Sequence, residues 1–388
     1  MKTDKNLWVL VLVCIINSLG FGIIVPVMYE YGKTFGLTGT TLGVLTASFS
    51  VAQFFATPVL GSLSDKWGRK PLLAISLAGT CFSFLLFAEA NALWILFAAR
   101  ILDGLTGGNI SVAQAMVADT ATPQNRAKRF GILSSAFAFG FVIGPLVGGL
   151  FNKISPQAPF FFAAGISLIG TLCTLFLLKE TNPTDRKTRL SLKSRFKFGS
   201  LVTTLKRPVI GTAIFIGFLL TMAQFTMIIG FQTFSVDILK ITPATMGIFL
   251  ASFGVCGIIA QLGVPFFTKI FHSKTIILLL SSACCLAAMF ISGFLTLLIP
   301  FAACLCIYGL FNGLRNPMLN AIIADNIDRA EQGKILGINQ SYGSIGQTIG
   351  PLTAGLAAAI SVHSVFFLSS FYILVATLLC FRLKAKHE

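Results

Sequence analysis

Apolar stretches of about 20 residues recur along the whole chain, and each is long enough to cross the ~30 Å hydrocarbon core of a bilayer. Twelve such spans can be drawn, at about 7–29, 41–63, 72–90, 93–118, 130–151, 159–178, 209–235, 243–268, 274–294, 298–324, 333–359 and 362–381. Composition agrees: 55% of residues are hydrophobic and only 11% charged, where a soluble domain carries about 25% charged residues. The first span is too long, and too firmly continued by a second, to be a cleaved signal peptide. The chain reads as an all-α membrane protein of twelve transmembrane helices.

A net charge of +16 would suit a nucleic-acid partner, but the placement of the charges excludes one. Lys and Arg gather in alternate loops: Lys66, Arg69 and Lys70; Arg126, Lys128 and Arg129; a block from Lys179 to Arg207; Lys269 and Lys274; Arg329 and Lys334; and the tail with Arg382, Lys384 and Lys386. The other loops carry only Lys33, Lys153 and Lys240. This is the positive-inside pattern. It puts both termini in the cytoplasm and reports contact with anionic membrane lipids.

All nine Cys fall inside predicted spans, including the adjacent Cys284 and Cys285. Their spacing suggests neither a disulfide framework nor a metal site, and small apolar packing residues are the expectation. The three His (His272, His363 and His387) lie at span ends or in the tail. No metal cluster or acid pair stands inside the spans, and no His lies in their interior to activate a Cys or Ser, so a membrane enzyme is not expected. No cofactor is expected.

The chain divides in two. Residues 179–207 form the longest polar stretch, with six spans on either side. Sliding 115–150 onto 321–356 gives 14 identities in 36 residues without a gap, among them Ala118-Asp119 on Ala324-Asp325 and Gly144-Pro145-Leu146 on Gly350-Pro351-Leu352. The expected organisation is therefore a six-helix bundle at 1–178, a cytoplasmic linker at 179–207 and a second six-helix bundle at 208–388. Residues 189–207 mix Arg and Lys with Phe and Leu. They read equally well as a short amphipathic helix on the inner leaflet and as a solvated loop.

Three strings carry chemistry. Between the second and third spans, Gly61 to Pro71 read GSLSDKWGRKP. In the fifth span, Gly140 to Gly149 read GFVIGPLVGG, with Gly140, Gly144, Gly148 and Gly149 on adjacent turns of one face and Pro145 expected to bend the helix. The fourth span begins RILDGLTGG, with Arg100 and Asp103 three residues apart on one face. Charges inside a span are costly and face a cavity or one another.

These strings resemble the major facilitator superfamily. Within it the chain is most similar to the twelve-helix drug:proton antiporters, above all the tetracycline-resistance efflux branch, whose pattern also appears in NSLGFGIIVPV (17–27), APFFFAA (158–164) and LLKET (177–181). The likeness covers the first 180 residues well and the second half loosely. It implies two pseudo-symmetric six-helix bundles, a substrate site near the mid-membrane plane between them, and alternating access. It implies that Asp65, Arg69 and Asp119, with Gly61, Gly68 and Lys70, form a charge latch for one conformational state. Plain positive charge at a helix end is the alternative. The second-half counterpart near 265–274 (PFFTKIFHSK) lacks the Asp and both glycines, so the latch is expected to be asymmetric. The fifth-span string accompanies export in that family, and generic small-residue packing is the alternative. The fourth-span string keeps the Arg and glycines associated there with proton transfer, while Asp103 stands where Gln or a small residue is common. An acid beside Arg100 inside the span is the first candidate for the proton carrier, ahead of Glu30 and Asp237. A static buried pair is the other reading.

The departures matter. The branch's membrane acids in helices 1, 3 and 9 are replaced by Asn17, Ser83 and Ala283. None of these carries a proton, which argues against tetracycline with a divalent metal as the main substrate. Polar residues on the spans expected to face the centre are the candidate substrate contacts: Asn17, Gln53, Gln224, the stripe Tyr308, Asn312, Arg315 and Asn316, then Asn339 and Tyr342. Arg315 points to an anionic or carboxylate-bearing substrate unless an acid neutralises it. The implied function is a secondary transporter, a proton-coupled antiporter exporting a small amphipathic molecule (drug or metabolite) from a bacterial inner membrane. The duplicated halves already make a complete pathway, so a monomer is expected. An exporter of siderophores or other anionic metabolites, an importer and a lipid translocator are the alternatives.

Overall fold

The computed structural model describes residues 5–122, 125–181, 203–327 and 331–383. Its regular structure is helical: α1 Lys5–Lys33, α2 Gly39–Trp67, α3 Arg69–Ala88, α4 Leu93–Thr106, α5 Asn109–Thr120, α6 Arg126–Asn152, α7 Ala158–Leu177, α8 Pro208–Asp237, α9 Pro243–Leu262, α10 Val264–Phe271, α11 Lys274–Ser292, α12 Leu298–Asp325, α13 Gln332–Ile360 and α14 Ser364–Cys380. The predicted amphipathic segment at 189–207 lies largely outside the described residues.

The twelve predicted spans are all present, two of them broken. The span predicted at 93–118 is two helices, α4 and α5, parted at Gly107-Gly108. The span at 243–268 is α9 and α10, parted at Gly263. Among the described residues, nine helices are long and apolar enough to cross a membrane. The other three spans miss that standard for visible reasons. One is the broken α4–α5, α13 carries Asn339, Gln340, Tyr342 and Gln347 along its length, and α14 has 17 residues.

Two compact units form. The first holds α1, α2 from Ser48 onward and α3 to α7, together with Thr242–Ala251 at the start of α9. The second holds Thr38–Ala47 at the start of α2, then α8, the rest of α9 and α10 to α14. The division thus departs from a single cut in the linker at two helix starts.

The duplication read from the sequence appears in the helix pairings. In the first unit α1 packs on α6, α3 on α7 and α4, and α1 on α7; in the second α8 packs on α13, α11 on α14 and α12, and α8 on α14. The first unit's interior joins Leu10, Val13 and Cys14 of α1 to Leu73 and Leu77 of α3 and to Val112 and Met116 of α5. The second is built on aromatics, with Phe234 against Phe301 (centroids 4.6 Å apart) and Phe366 (5.4 Å). The described cysteines are free thiols.

Candidate functional site

The turn between α2 and α3 is a single residue, Gly68, at φ 101°. That φ is open to glycine and costly for other residues. The turn delivers Arg69 onto the last turn of α2: Nη1 lies 2.7 Å from Asp65 Oδ1 and donates to Ser64 Oγ at 2.7 Å. Nε donates to Asp119 Oδ2 on α5 at 3.2 Å. Arg69 therefore bridges two carboxylates from different helices, using the fork that Lys lacks. Gly61, by contrast, has open space where a Cβ would stand.

Glu180, beyond the end of α7, completes this cluster, and the sequence reading did not assign it a role. Its carboxylate accepts from the backbone N–H groups of Arg69 (2.9 Å) and Lys70 (3.0 Å), the first orphan donors of α3. Neighbouring Thr181 donates to Asp119 Oδ2 at 3.3 Å. Lys70 enters the cluster through its backbone. Removing the carboxylate in Glu180→Ala is expected to cost about 1 kcal/mol, as loss of a helix N-cap does, read as a lower midpoint of thermal unfolding in detergent. Gly68→Ala is expected to be at least as costly, because its Cβ would stand 2.5 Å from Glu180 Oε2 on a backbone that disfavours alanine.

The second unit keeps more of this arrangement than its loop sequence suggested. Lys274, at the start of α11, pairs with Asp325, the repeat partner of Asp119. Arg207 makes a two-pronged pair with Glu331, Nη1–Oε2 at 2.7 Å and Nη2–Oε1 at 3.1 Å. The expected asymmetry is thus one of residue type and geometry, with an ion pair on both sides.

Arg100 and Asp103 are buried inside the first unit. Their nearest approach, Arg100 Nη1 to Asp103 Oδ2, is 3.7 Å, too long for a hydrogen bond. The guanidinium lies instead over the ring of Phe49, 4.4 Å from its centroid, an arrangement that holds a cation by its face. Nε and Nη1 of Arg100 have no hydrogen-bond partner among the described residues. Asp103 Oδ1 accepts from Thr80 Oγ1 on α3 at 3.1 Å. A hydroxyl can reverse that bond and accept from a protonated carboxyl. The carboxylate is thus attracted to a cation without being tied to it.

Just past Asp103 the helix breaks. The exposed carbonyls are covered by neighbours: Gln53 Nε2 of α2 donates to Gly107 O at 3.1 Å, and Ser76 Oγ of α3 donates to Thr106 O. Ser83 donates to Ala99 O at 2.8 Å and joins α3 to α4. The Gln53 amide, predicted to meet substrate, is engaged with the backbone here.

In α6, Gly140, Gly144 and Gly148 all face α1. A Cβ on Gly144 would stand 2.8 Å from both Gly22 Cα and Leu19 O; one on Gly140 would stand 2.6 Å from Ile15 O. Gly149 does not share that face; its Cβ would meet Ala244 Cα at 2.7 Å. The helix runs unbroken through Pro145 from Arg126 to Asn152.

The remaining predicted polar residues are spread over several helices. Asn17 (α1) and Gln224 (α8) are half-buried. On α12, Arg315 is fully buried and Nη2 donates to Tyr308 Oη at 3.2 Å and to Asn312 Oδ1. Asn316 is exposed. On α13, Asn339 donates to Asn320 Oδ1 at 3.3 Å, and the Tyr342 ring lies 6.4 Å from that of Phe218. Among the described residues no group of three or more His, Cys, Asp or Glu is placed to hold a metal.

Comparison with known proteins places this arrangement. The sequence model of the Major Facilitator Superfamily matches residues 10–308 and 275–388. Multidrug resistance protein 2 of Bacillus subtilis (strain 168) is 30% identical over 384 residues, covering 97% of this chain and 94% of that protein. Tetracycline resistance protein, class B, of Escherichia coli is 30% identical over 363 residues, 91% and 87% of the two chains. Among solved structures, nucleoside transporter NupG superposes with a TM-score of 0.78 at 16% identity over 99% of this chain and 100% of that one. A bacterial homolog of the human lysosomal transporter Spinster, inward-facing and unoccupied, gives 0.80 at 13% over 98% and 97%. At such identities these two likenesses speak for the fold alone. The chain belongs to the Major Facilitator Superfamily, as a multi-pass membrane transporter and not an enzyme.

Proposed function

We propose that the protein exports a small amphipathic molecule, a drug or a metabolite, in exchange for protons by alternating access. It acts as a monomer in a bacterial inner membrane, with both termini in the cytoplasm. The observation that carries the coupling is Asp103. It is the one buried acid among the described residues, bonded to a reversible hydroxyl and held 3.7 Å from a cation that does not tie it down. The names of the relatives, multidrug and tetracycline resistance proteins, support export. Asn17, Gln224, Tyr308, Asn312, Arg315, Asn316, Asn339 and Tyr342 are the proposed substrate contacts. Gln53 would contribute through the helix break that it holds.

The Arg69 cluster is the proposed latch. It joins α2, α5 and the start of α3 within one unit, and a difference of a few kcal/mol between states is enough to shift their populations. Arg69→Ala leaves Asp65 and Asp119 without their shared cation. Transport is expected to fall about tenfold or more, the change that ~1.4 kcal/mol produces, with the protein still folded in detergent. Arg69→Lys is expected to recover only part, because one ammonium does not reproduce the fork. Full activity in Arg69→Ala would remove the latch from the mechanism.

The test of the reading is proton movement in energised inside-out vesicles, followed with a pH-gradient dye while amphipathic and carboxylate-bearing compounds are added. Proton release from the lumen on addition of substrate is the expected result. Release in the opposite sense would mean symport and import. Substrate movement with no proton signal would sink the coupling.

A further inference from the structure

The buried cation of the second unit has no counterpart to Asp103. From Pro208 to Cys380 the second unit's spanning helices carry acids only at helix ends, Asp237 closing α8 and Asp325 closing α12, the latter paired with Lys274. Arg315, ten residues before the end of α12, is 1% exposed and makes no ion pair among the described residues. A guanidinium has five N–H donors. Nη2 serves Tyr308 Oη and Asn312 Oδ1, while Nε and Nη1 have no partner among the described residues. The surrounding groups supply shape and no charge. The guanidinium carbon lies 5.2 Å from the Tyr308 ring centroid, and Tyr308 stacks on Phe253 with centroids 5.9 Å apart. Cys285 donates to Tyr308 O at 3.7 Å.

A buried cation with unused donors is costly unless something negative joins it. The helix also offers a polar approach. Asn312 is half-buried, Asn316 and Asn320 are exposed, and Asn339 of α13 donates to Asn320. Amide side chains within a span are hydrogen-bonding groups that join helices, as Asn339 and Asn320 do here.

We infer that Arg315, with Tyr308 and Asn312, is an anchor for a carboxylate on a small aromatic or amphipathic molecule, so that the protein selects anions over their neutral analogues. This deepens the export reading by naming a substrate class and rests on it for the word substrate; the anion site itself does not. Tyr308 and Asn312 position the guanidinium, and the unused N–H groups on Nε and Nη1 are the donors for the carboxylate.

The test is binding to purified full-length protein in nanodiscs, measured by calorimetry with 1-naphthoate and with 1-naphthamide, which has the same ring and no charge. Wild type is expected to bind the acid about tenfold or more tightly than the amide. Arg315→Gln is expected to erase that preference, and Arg315→Lys to keep part of it. Asn312→Leu, which keeps the charge but frees the guanidinium to turn, is expected to weaken the acid by a smaller factor; it supplies the comparison if Arg315→Gln does not fold. Equal binding of acid and amide by wild type, a preference unchanged in Arg315→Gln, or no binding of 1-naphthoate would overturn the proposal, leaving Arg315 satisfied by internal water alone. Efflux of ethidium by the same preparation in proteoliposomes separates the two readings. Ethidium efflux with no acid preference refutes the anion site only, whereas an acid preference without efflux of any probe refutes the exporter only.

Discussion

Asp103→Asn is expected to abolish substrate-driven proton release in inside-out vesicles, cutting it by about tenfold or more, while exchange of substrate across de-energised vesicles continues. The substitution is nearly isosteric, and its amide can keep the bond to Thr80 Oγ1, 3.1 Å away in the native protein. What it removes is the ability to take and release a proton. It also leaves Arg100 as an uncompensated buried charge. Breaking such a pair from one side costs about 3–5 kcal/mol, and a loss of activity could come from that alone. The double variant Arg100→Gln, Asp103→Asn resolves the two causes. It is neutral throughout, so the fold regains what the single change lost. If Asp103 carries the proton, the double variant folds like wild type and stays uncoupled. If the pair only orients α4 against Phe49, coupling returns with the fold, and the carrier must be sought at Glu30 or Asp237.

The second large effect is steric. Gly144→Ala would place a methyl 2.8 Å from Gly22 Cα and Leu19 O, both main-chain atoms that no rotamer change can move aside. Forcing one carbon into a packed interface costs about 1–3 kcal/mol, and here it pries α1 from α6, the two helices that form the first unit's main pairing. Gly131→Ala is the control. Gly131 lies in the same helix, is exposed, and has nothing within 4 Å of the added carbon. Replacing glycine by alanine in a helix interior gains about 0.5–1 kcal/mol when nothing obstructs it. The two changes should therefore move the thermal midpoint in opposite directions. A Gly144→Ala protein as stable as wild type would mean that α1 and α6 slide freely over one another.

Much of the fold was legible because the bilayer enforces length and polarity on each segment. The twelve spans follow from hydropathy, the two halves from the repeat, and the pairing of Arg69 with Asp65 from their four-residue separation across the Gly68 turn. What was not legible depends on which helices meet. Glu180 is an ordinary acid after a basic residue until α7 delivers it to the start of α3. Lys274 and Asp325 lie 51 residues apart in sequence, so a search for a copied loop string passes over them. Gly149 sits one residue past Gly148 and so about 100° around the helix, which the glycine-rich string hid. The helix break was within reach, since LTGGN puts two glycines together. A span of expected length gave no reason to interrupt it there. The stripe from Tyr308 to Asn316 was visible at helical spacing, but the idle donors of Arg315 depend on what the other helices fail to bring.

The break between α4 and α5 binds several positions into one unit of inheritance. Gly107-Gly108 opens carbonyls that lipid cannot satisfy, and Gln53 and Ser76, on two other helices, close them. A lineage that lost Gln53 alone would carry a bare carbonyl, and one that healed the helix alone would strand the amide in its place. Changes at these positions are therefore expected to be strongly non-additive, so that the ancestral order in which they appeared constrains which single substitutions descendants of this chain can now tolerate.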